Sequence, residues 1–333
     1  MTQPLLAELS RQGHALTVAA LPWVAPVYEA MPACSKVMVL PFVRGQLQWH
    51  LRRQWAQNIK GQFDRAYVCP NTLKSALLVM GAGIKDRVGY LGEMRWGLLN
   101  HRLPNPSKTA RESMVDFYLA LARVELRDAQ DVLAWNAEHL EASSPCLRVD
   151  ENTLASTLSH FQLAPKSYIA LAPGAEFGEA KRWPQERYVE LMASIKDPMV
   201  LLGSKADQTL CEEMVQALRA RGFAHVRNLA GQTNLKEAMA LIAQAKGLVS
   251  NDSGLMHVAA ALEVPQVALF GSSSPEHTPA LSKKASMIWL KWDPTYEPRL
   301  DCAPCFKRTC PLGHKRCLWD ISAERVAQRL EDW

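Results

Sequence analysis

Two runs of short β-rich stretches alternate with helical patterns along the chain, and that alternation admits few architectures. Strands separated by helices run parallel, and a parallel sheet needs helices on both of its faces. In the first run residues 15–22, 37–42, 65–70 and 87–91 read as strands, with helices at 23–30, 47–60, 72–80 and 111–122. The second run has strands at 168–173, 199–203, 225–229, 247–251 and 266–271, with helices at 184–195, 205–221, 235–245 and 253–262. Pro184 suits the first turn of its helix, where a missing donor costs nothing. At 333 residues the chain is too long for one core. The reading is therefore α/β: two Rossmann-like domains, 1–150 and 151–333, facing across a cleft, with ligands at the carboxyl ends of the strands. Residues 128–165 are less periodic and are expected to hold the connection. After Gly271 the pattern dissolves into a segment rich in Pro, Cys and Trp, before a last helix at 321–330.

The first domain opens on a helix, where Leu5, Leu6 and Leu9 form an apolar stripe ahead of the first strand. A βαβ unit begins with a strand, so the pattern starts one element late. The first residues show neither a basic region nor a small-residue cleavage site, and no window holds the ~18 apolar residues of a membrane span. With 48% hydrophobic and 21% charged residues, the chain reads as an ordinary globular, cytoplasmic protein.

Charge is unevenly spread: residues 1–150 hold 17 basic against 13 acidic side chains, and the remainder 21 against 20. Residues 30–63 contain no acid and carry Lys36, Arg44, Arg52, Arg53 and Lys60 among Phe42, Trp49 and Trp55. Such a surface attracts anionic headgroups or a phosphorylated glycolipid, although a solvated helix face has the same composition. No recognition motif accompanies the charge, so nucleic acid is not expected as a partner.

Four strand-to-helix junctions carry the candidate chemistry. Between a strand and a helix lies 173–184 (PGAEFGEAKRWP), where Gly174 and Gly178 permit close backbone approach and Lys181 or Arg182 can meet a diphosphate near the helix start. At 250–257 (SNDSGLMH), Asp252 or Ser253 is a ready N-cap, Ser253 and Gly254 leave amides at the positive helix end, and His257 lies one turn in. A solvated loop and a satisfied cap are the plain alternatives; two such junctions on adjacent strands tell more than either alone. Gly231 to Thr233 is a weaker small-polar loop in the same sheet. In the first domain Asn71, Lys74, Ser75 and Arg95 follow successive strands and offer polar groups to an anionic acceptor.

Cysteine is used in two ways. Cys34, Cys69, Cys146 and Cys211 are scattered and read as small buried hydrophobes. Cys302, Cys305, Cys310 and Cys317, with His314 among them, have the residue types of a structural zinc site, though the second pair is wider than a typical zinc knuckle. Three readings stay open: a metal, redox-sensitive disulfides, or reduced thiols packing a small lobe.

Together, 65–76 (RAYVCPNTLKSA), 87–100 (RVGYLGEMRWGLLN), 173–184 and 251–261 (NDSGLMHVAAA) resemble the ADP-heptose:lipopolysaccharide heptosyltransferases of glycosyltransferase family 9, the second heptosyltransferases in particular. The likeness runs from the start to about residue 282 and resumes in the last helix. It implies a GT-B fold, with the donor ADP-heptose on the C-terminal domain and the lipid A–Kdo–heptose acceptor on the N-terminal one. It further implies an inverting transfer of L-glycero-D-manno-heptose to the first heptose of the inner core, at the inner face of the inner membrane, without a catalytic metal. On matching positions Lys181 holds the diphosphate, Asp252, Ser253, Gly254 and His257 hold the ADP and heptose portions, and Gly174 and Glu176 lie in the sugar loop.

The resemblance also marks a departure. The family pattern begins with a strand and a Gly-Asp turn whose Asp is the presumed general base, worth about 10²–10⁴-fold; here Met1 to Leu5 match the helix that follows. No catalytic residue is therefore assigned within the chain. Either the start is placed late, which fits the presence of the other motifs, or the chain binds nucleotide sugars without turning them over. A heptosyltransferase acting on another acceptor position is the further alternative. A nicotinamide dehydrogenase is disfavoured, since no G-x-G-x-x-G follows any strand.

Overall fold

A computed structural model describes residues 1–43, 45–106, 111–123 and 144–330. The chain divides into two compact units, Met1–Ser144 and Pro145–Trp333, with the division at Ser144 rather than at residue 150. Of the segment expected to connect the domains, residues 128–143 lie outside the described ones, as does Arg44 of the basic run.

The N-terminal unit starts with α1 (Gln3–Arg11), which buries Leu5 and Leu9 at 1% exposure. Glu8 is equally buried, and its carboxylate accepts from the Arg11 guanidinium at 2.8 Å and from Gln12 at 2.7 Å. There follow β1 (Thr17–Ala20), α2 (Ala25–Glu29), β2 (Lys36–Val39), α3 (Trp49–Asn58), β3 (Arg65–Val68), α4 (Leu73–Gly81), β4 (Asp86–Tyr90), β5 (His101–Leu103) and α5 (Met114–Leu119). β1 pairs with β2, and β3, β4 and β5 form a second parallel sheet. One apolar cluster, around Phe42, Ile59 and Leu78, takes in Met38 of β2 and Ala66 of β3. Another, around Leu5, Leu9, Val88 and Tyr90, takes in Leu16 and Tyr67. Residues in or beside both sheets thus share the same two apolar clusters.

The C-terminal unit begins with α6 (Glu151–Phe161), whose N-cap Asp150 accepts from the Thr153 amide at 2.8 Å. Sequence periodicity did not separate this helix from the connection. The alternation then runs β6 (Ile169–Ala172), α7 (Gln185–Ser194), β7 (Met199–Leu201), α8 (Gln208–Ala220), β8 (Val226–Asn228), α9 (Leu235–Gln244), β9 (Leu248–Asn251), α10 (Gly254–Ala261), β10 (Gln266–Leu269) and β11 (Ala285–Ile288). Two short helices, α11 (Arg316–Trp319) and α12 (Ala323–Gln328), close the described chain. β6, β9 and β10 are buried at every residue, which explains why they read as uninterrupted apolar runs. The six-stranded parallel sheet has the order β11-β10-β9-β6-β7-β8. Chain order therefore reverses between β6 and β9, and such a switch point opens a crevice at the carboxyl ends of the strands.

The scattered cysteines divide. Cys211 is buried as expected and Cys34 and Cys69 are half-buried, but Cys146 is exposed, in an irregular stretch before α6.

Candidate active site at the switch point

The two junctions expected to work together do lie side by side. β6 and β9 are hydrogen-bonded neighbours with Ala172 opposite Ser250, so residues 173–183 and 252–253 leave adjacent strand ends. Asn251 joins them. Its amide nitrogen donates to the Pro173 carbonyl at 2.8 Å, and its oxygen accepts from the Trp183 backbone amide at 2.9 Å and the Tyr188 hydroxyl at 3.4 Å. Trp183 is fully buried, and its indole N–H donates to the Ile321 carbonyl at 3.0 Å, which pins the far end of the loop to the segment before α12.

Within this frame Lys181 reaches across to Asp252, Nζ to Oδ2 at 2.6 Å, with side chains 17% and 5% exposed. The second oxygen of Asp252 accepts from the Thr278 hydroxyl at 3.2 Å. An ammonium with one carboxylate partner and a partly open face can exchange that partner for a phosphate oxygen. Ser253 stands at the N-cap of α10 in extended conformation, and its hydroxyl, though buried, caps no amide of the helix. The first-turn N–H groups consequently carry the uncompensated positive end of the helix. Half-buried His257 has its imidazolium disfavoured first of all by desolvation; Asp252 opposes this, and the Lys181 charge adds a lesser push in the same direction as burial. Its pKa lies well below the ordinary histidine value, so the ring is neutral at neutral pH.

Two glycines have reasons other than a ligand. A Cβ on Gly174 would lie 2.5 Å from the Asp207 carboxylate, which caps Ser204 through its amide and hydroxyl. A Cβ on Gly178, at φ +148°, would lie 2.5 Å from the Arg308 carbonyl. Glu176 is exposed on the same loop. Beyond Asn251 and Thr278, sequence reading also passed over Ser250, Ser272 and Ser273. These lie at or just past the ends of β9 and β10, with buried hydroxyls that make no hydrogen bond. Serines after a buried strand are the signal that could have found them.

In the N-terminal unit the expected acceptor residues fare unevenly. Arg95 is a correction: it is fully buried, and its guanidinium donates to the carbonyls of Pro70, Gly92 and Tyr90 and to Asn71 Oδ1. Carbonyls left by two loops solvate the charge, so Arg95 builds those loops rather than facing a ligand. Asn71 is held between Arg95 and Asn105, and the Ser75 hydroxyl lies 2.8 Å from that of Thr72. Lys74 is half-exposed. Arg52 is withdrawn as well, 9% exposed over the Phe42 ring at 4.1 Å, whereas Lys36, Arg53 and Lys60 are exposed.

The four clustered cysteines line one cavity beside the loop of residues 173–183, together with Glu179, Arg182 and His314. All are free thiols, and among the described residues no group of three or more His, Cys, Asp or Glu stands in ligand geometry.

A parallel sheet reversing at β6 and β9, in one of two α/β units, is the architecture of the GT-B glycosyltransferase class. The chain belongs to glycosyltransferase family 9 (heptosyltransferase), whose profile matches residues 52–316. It is 40% identical over 325 residues to lipopolysaccharide heptosyltransferase 2 of Escherichia coli (strain K12), covering 95% of this chain and 88% of that protein. It is 36% identical over 318 residues to lipooligosaccharide heptosyltransferase 2 of Haemophilus influenzae (strain ATCC 51907 / DSM 11121 / KW20 / Rd), covering 93% and 88%. The solved structure of E. coli ADP-heptose LPS heptosyltransferase II superposes with a TM-score of 0.80 at 37% identity, over 99% of this chain and 93% of that one. A family 9 glycosyltransferase from Veillonella parvula DSM 2008, 19% identical with a TM-score of 0.76 over 99% and 92% of the two chains, has the same fold.

Proposed function

We propose that the chain transfers L-glycero-D-manno-heptose from ADP-heptose to the first heptose of the lipopolysaccharide inner core, with inversion. The observation that carries this reading is the Lys181–Asp252 pair seated between two amide-bearing junctions at the switch point. The donor diphosphate takes the Lys181 ammonium from Asp252 and lies against the first-turn amides of α10 at Ser253 and Gly254. Asp252, kept in place by Thr278, accepts a sugar hydroxyl, and neutral His257 donates to a phosphate oxygen. As the bond to the anomeric carbon breaks, the charge growing on ADP meets groups already oriented for it. The N-terminal unit takes the phosphorylated lipid acceptor. Lys74 and the exposed Lys36, Arg53 and Lys60 supply positive charge toward an anionic membrane surface, in keeping with the absence, among the described residues, of any helix long and apolar enough to cross a membrane.

Calorimetry with ADP tests the donor site. Lys181→Ala and Asp252→Ala are each expected to weaken binding by more than about tenfold, or ~1.4 kcal/mol; unchanged affinity in both refutes the assignment. ADP is expected to raise the melting temperature where UDP and GDP do not. Mass spectrometry of inner-core glycolipid incubated with ADP-heptose then reads the acceptor position.

A further inference from the structure

The cavity beside the donor loop has a chemistry that nucleotide binding does not use. Cys302 and Cys305 approach it from the turn after Leu300, Cys310 from a turn closed by the Gly313 amide on the Cys310 carbonyl at 3.2 Å, and Cys317 from α11. Three separate pieces of backbone thus bring four thiols to a space of about 30 Å³. That volume holds one ion or one water and no side chain. Arg182 and Lys315 line the same cavity, and the buried Nε of Arg182 has no hydrogen-bond partner. Four thiolates around a divalent ion carry net negative charge, and Arg182 is suited to offset part of it, whereas Lys315 is already paired with Glu179.

We propose that Cys302, Cys305, Cys310 and Cys317 form a structural site for a thiophilic divalent cation, zinc, which clamps this lobe against the donor loop. The four cysteines line the cavity without standing in ligand geometry, so binding requires rotation about their Cα–Cβ bonds, most freely for the three on turns. The lobe is joined directly to the loop that carries Lys181. The Arg308 carbonyl accepts from the Ala180 amide at 3.0 Å, Lys315 pairs with Glu179 at 2.9 Å, and the Phe306 amide donates to the Ser272 carbonyl at 2.7 Å. Fixing the thiols therefore fixes the backbone against which Gly178 and Ala180 rest. Zinc favours four thiolates at tetrahedral angles, and its role here is folding rather than chemistry.

The test uses the full chain purified under reducing conditions, with readouts independent of transferase activity. About one zinc per chain is expected by elemental analysis, with Co(II) substitution giving thiolate charge-transfer and tetrahedral d–d absorption. Cys310→Ser is expected to lose both signals. In case that variant does not fold, alkylation of the wild-type chain decides. Added zinc should slow modification of these four cysteines at least about tenfold, and leave Cys34 and Cys146 unchanged. A reduced chain that retains no metal, gives no cobalt spectrum and shows no protection overturns the proposal. So does recovery of the four cysteines as two disulfides.

Discussion

Asn251 is the residue on which the two donor junctions depend. Its side chain serves Pro173 and Trp183, 78 and 68 positions away in sequence. Asn251→Ala leaves the buried Trp183 amide without an acceptor, and an expected loss of about 1–3 kcal/mol should appear as a lower urea midpoint. Unchanged stability would mean that the frame closes without it. His257 sets a pH dependence. Its folded pKa lies below the unfolded value, so the unfolded chain takes up the proton first. Stability is then full above about pH 6.5 and falls as the pH drops toward the folded value. His257→Asn should flatten that decline between about pH 7 and 5 in urea titrations, and an identical slope in the variant would remove histidine from the account. That Lys181 and Asp252 lie close together was legible, because each follows a strand of the same sheet. Asn251 was not, since its partners are backbone groups brought close only by the β6–β9 pairing. Arg95 misled for the converse reason: an arginine after a strand reads as surface charge, and nothing in its spacing reveals a nest of carbonyls.

At the scale of elements, β6, β7, β9 and β10 of the six-stranded sheet were legible because they are buried throughout and leave no polar alternation to confuse them. β5 and β11 were not, and neither is buried along its length. α6 was obscured for another reason: most of its residues are polar, and only Thr157, Leu158 and Phe161 are buried. The donor loop shows how one element leans on another. Gly178 lies at φ +148° with the Arg308 backbone where a side chain would go, whereas Gly222, at φ +85°, has nothing within 4 Å. Both alanine variants strain the backbone by about 1–2 kcal/mol, but only Gly178→Ala must also push the loop away from the cysteine lobe. Gly178→Ala is therefore expected to lower both the melting temperature and ADP affinity, the latter several-fold, and Gly222→Ala the melting temperature alone. Equal ADP affinity in the two variants would show that the lobe does not position Lys181.

Over the whole molecule, the two units differ in the work their construction allows. The N-terminal unit carries most of the excess positive charge, and its described strands fall into two separate parallel sheets. The C-terminal unit has an unbroken six-stranded sheet over a continuous core that runs from Ile169 to Leu330 and includes Trp183, Tyr188 and Phe270. A nucleotide that meets Lys181, Asp252 and the start of α10 contacts groups of this second unit alone, so its binding energy enters there first. A ligand at about 100 times its Kd adds ~2.7 kcal/mol to the state that binds it. Hydrogen exchange with and without ADP should then show the largest slowing at amides of residues 173–183 and 252–257. Smaller effects are expected along β6 and β9, and the least within β1 and β2. Tyr168, buried at the opposite end of β6 with its hydroxyl on the Leu241 carbonyl at 2.7 Å, is an internal reference, because its surroundings are satisfied without ligand. Protection centred in the N-terminal unit would place the nucleotide away from the switch point, and the roles given to Lys181 and Asp252 would fall with it.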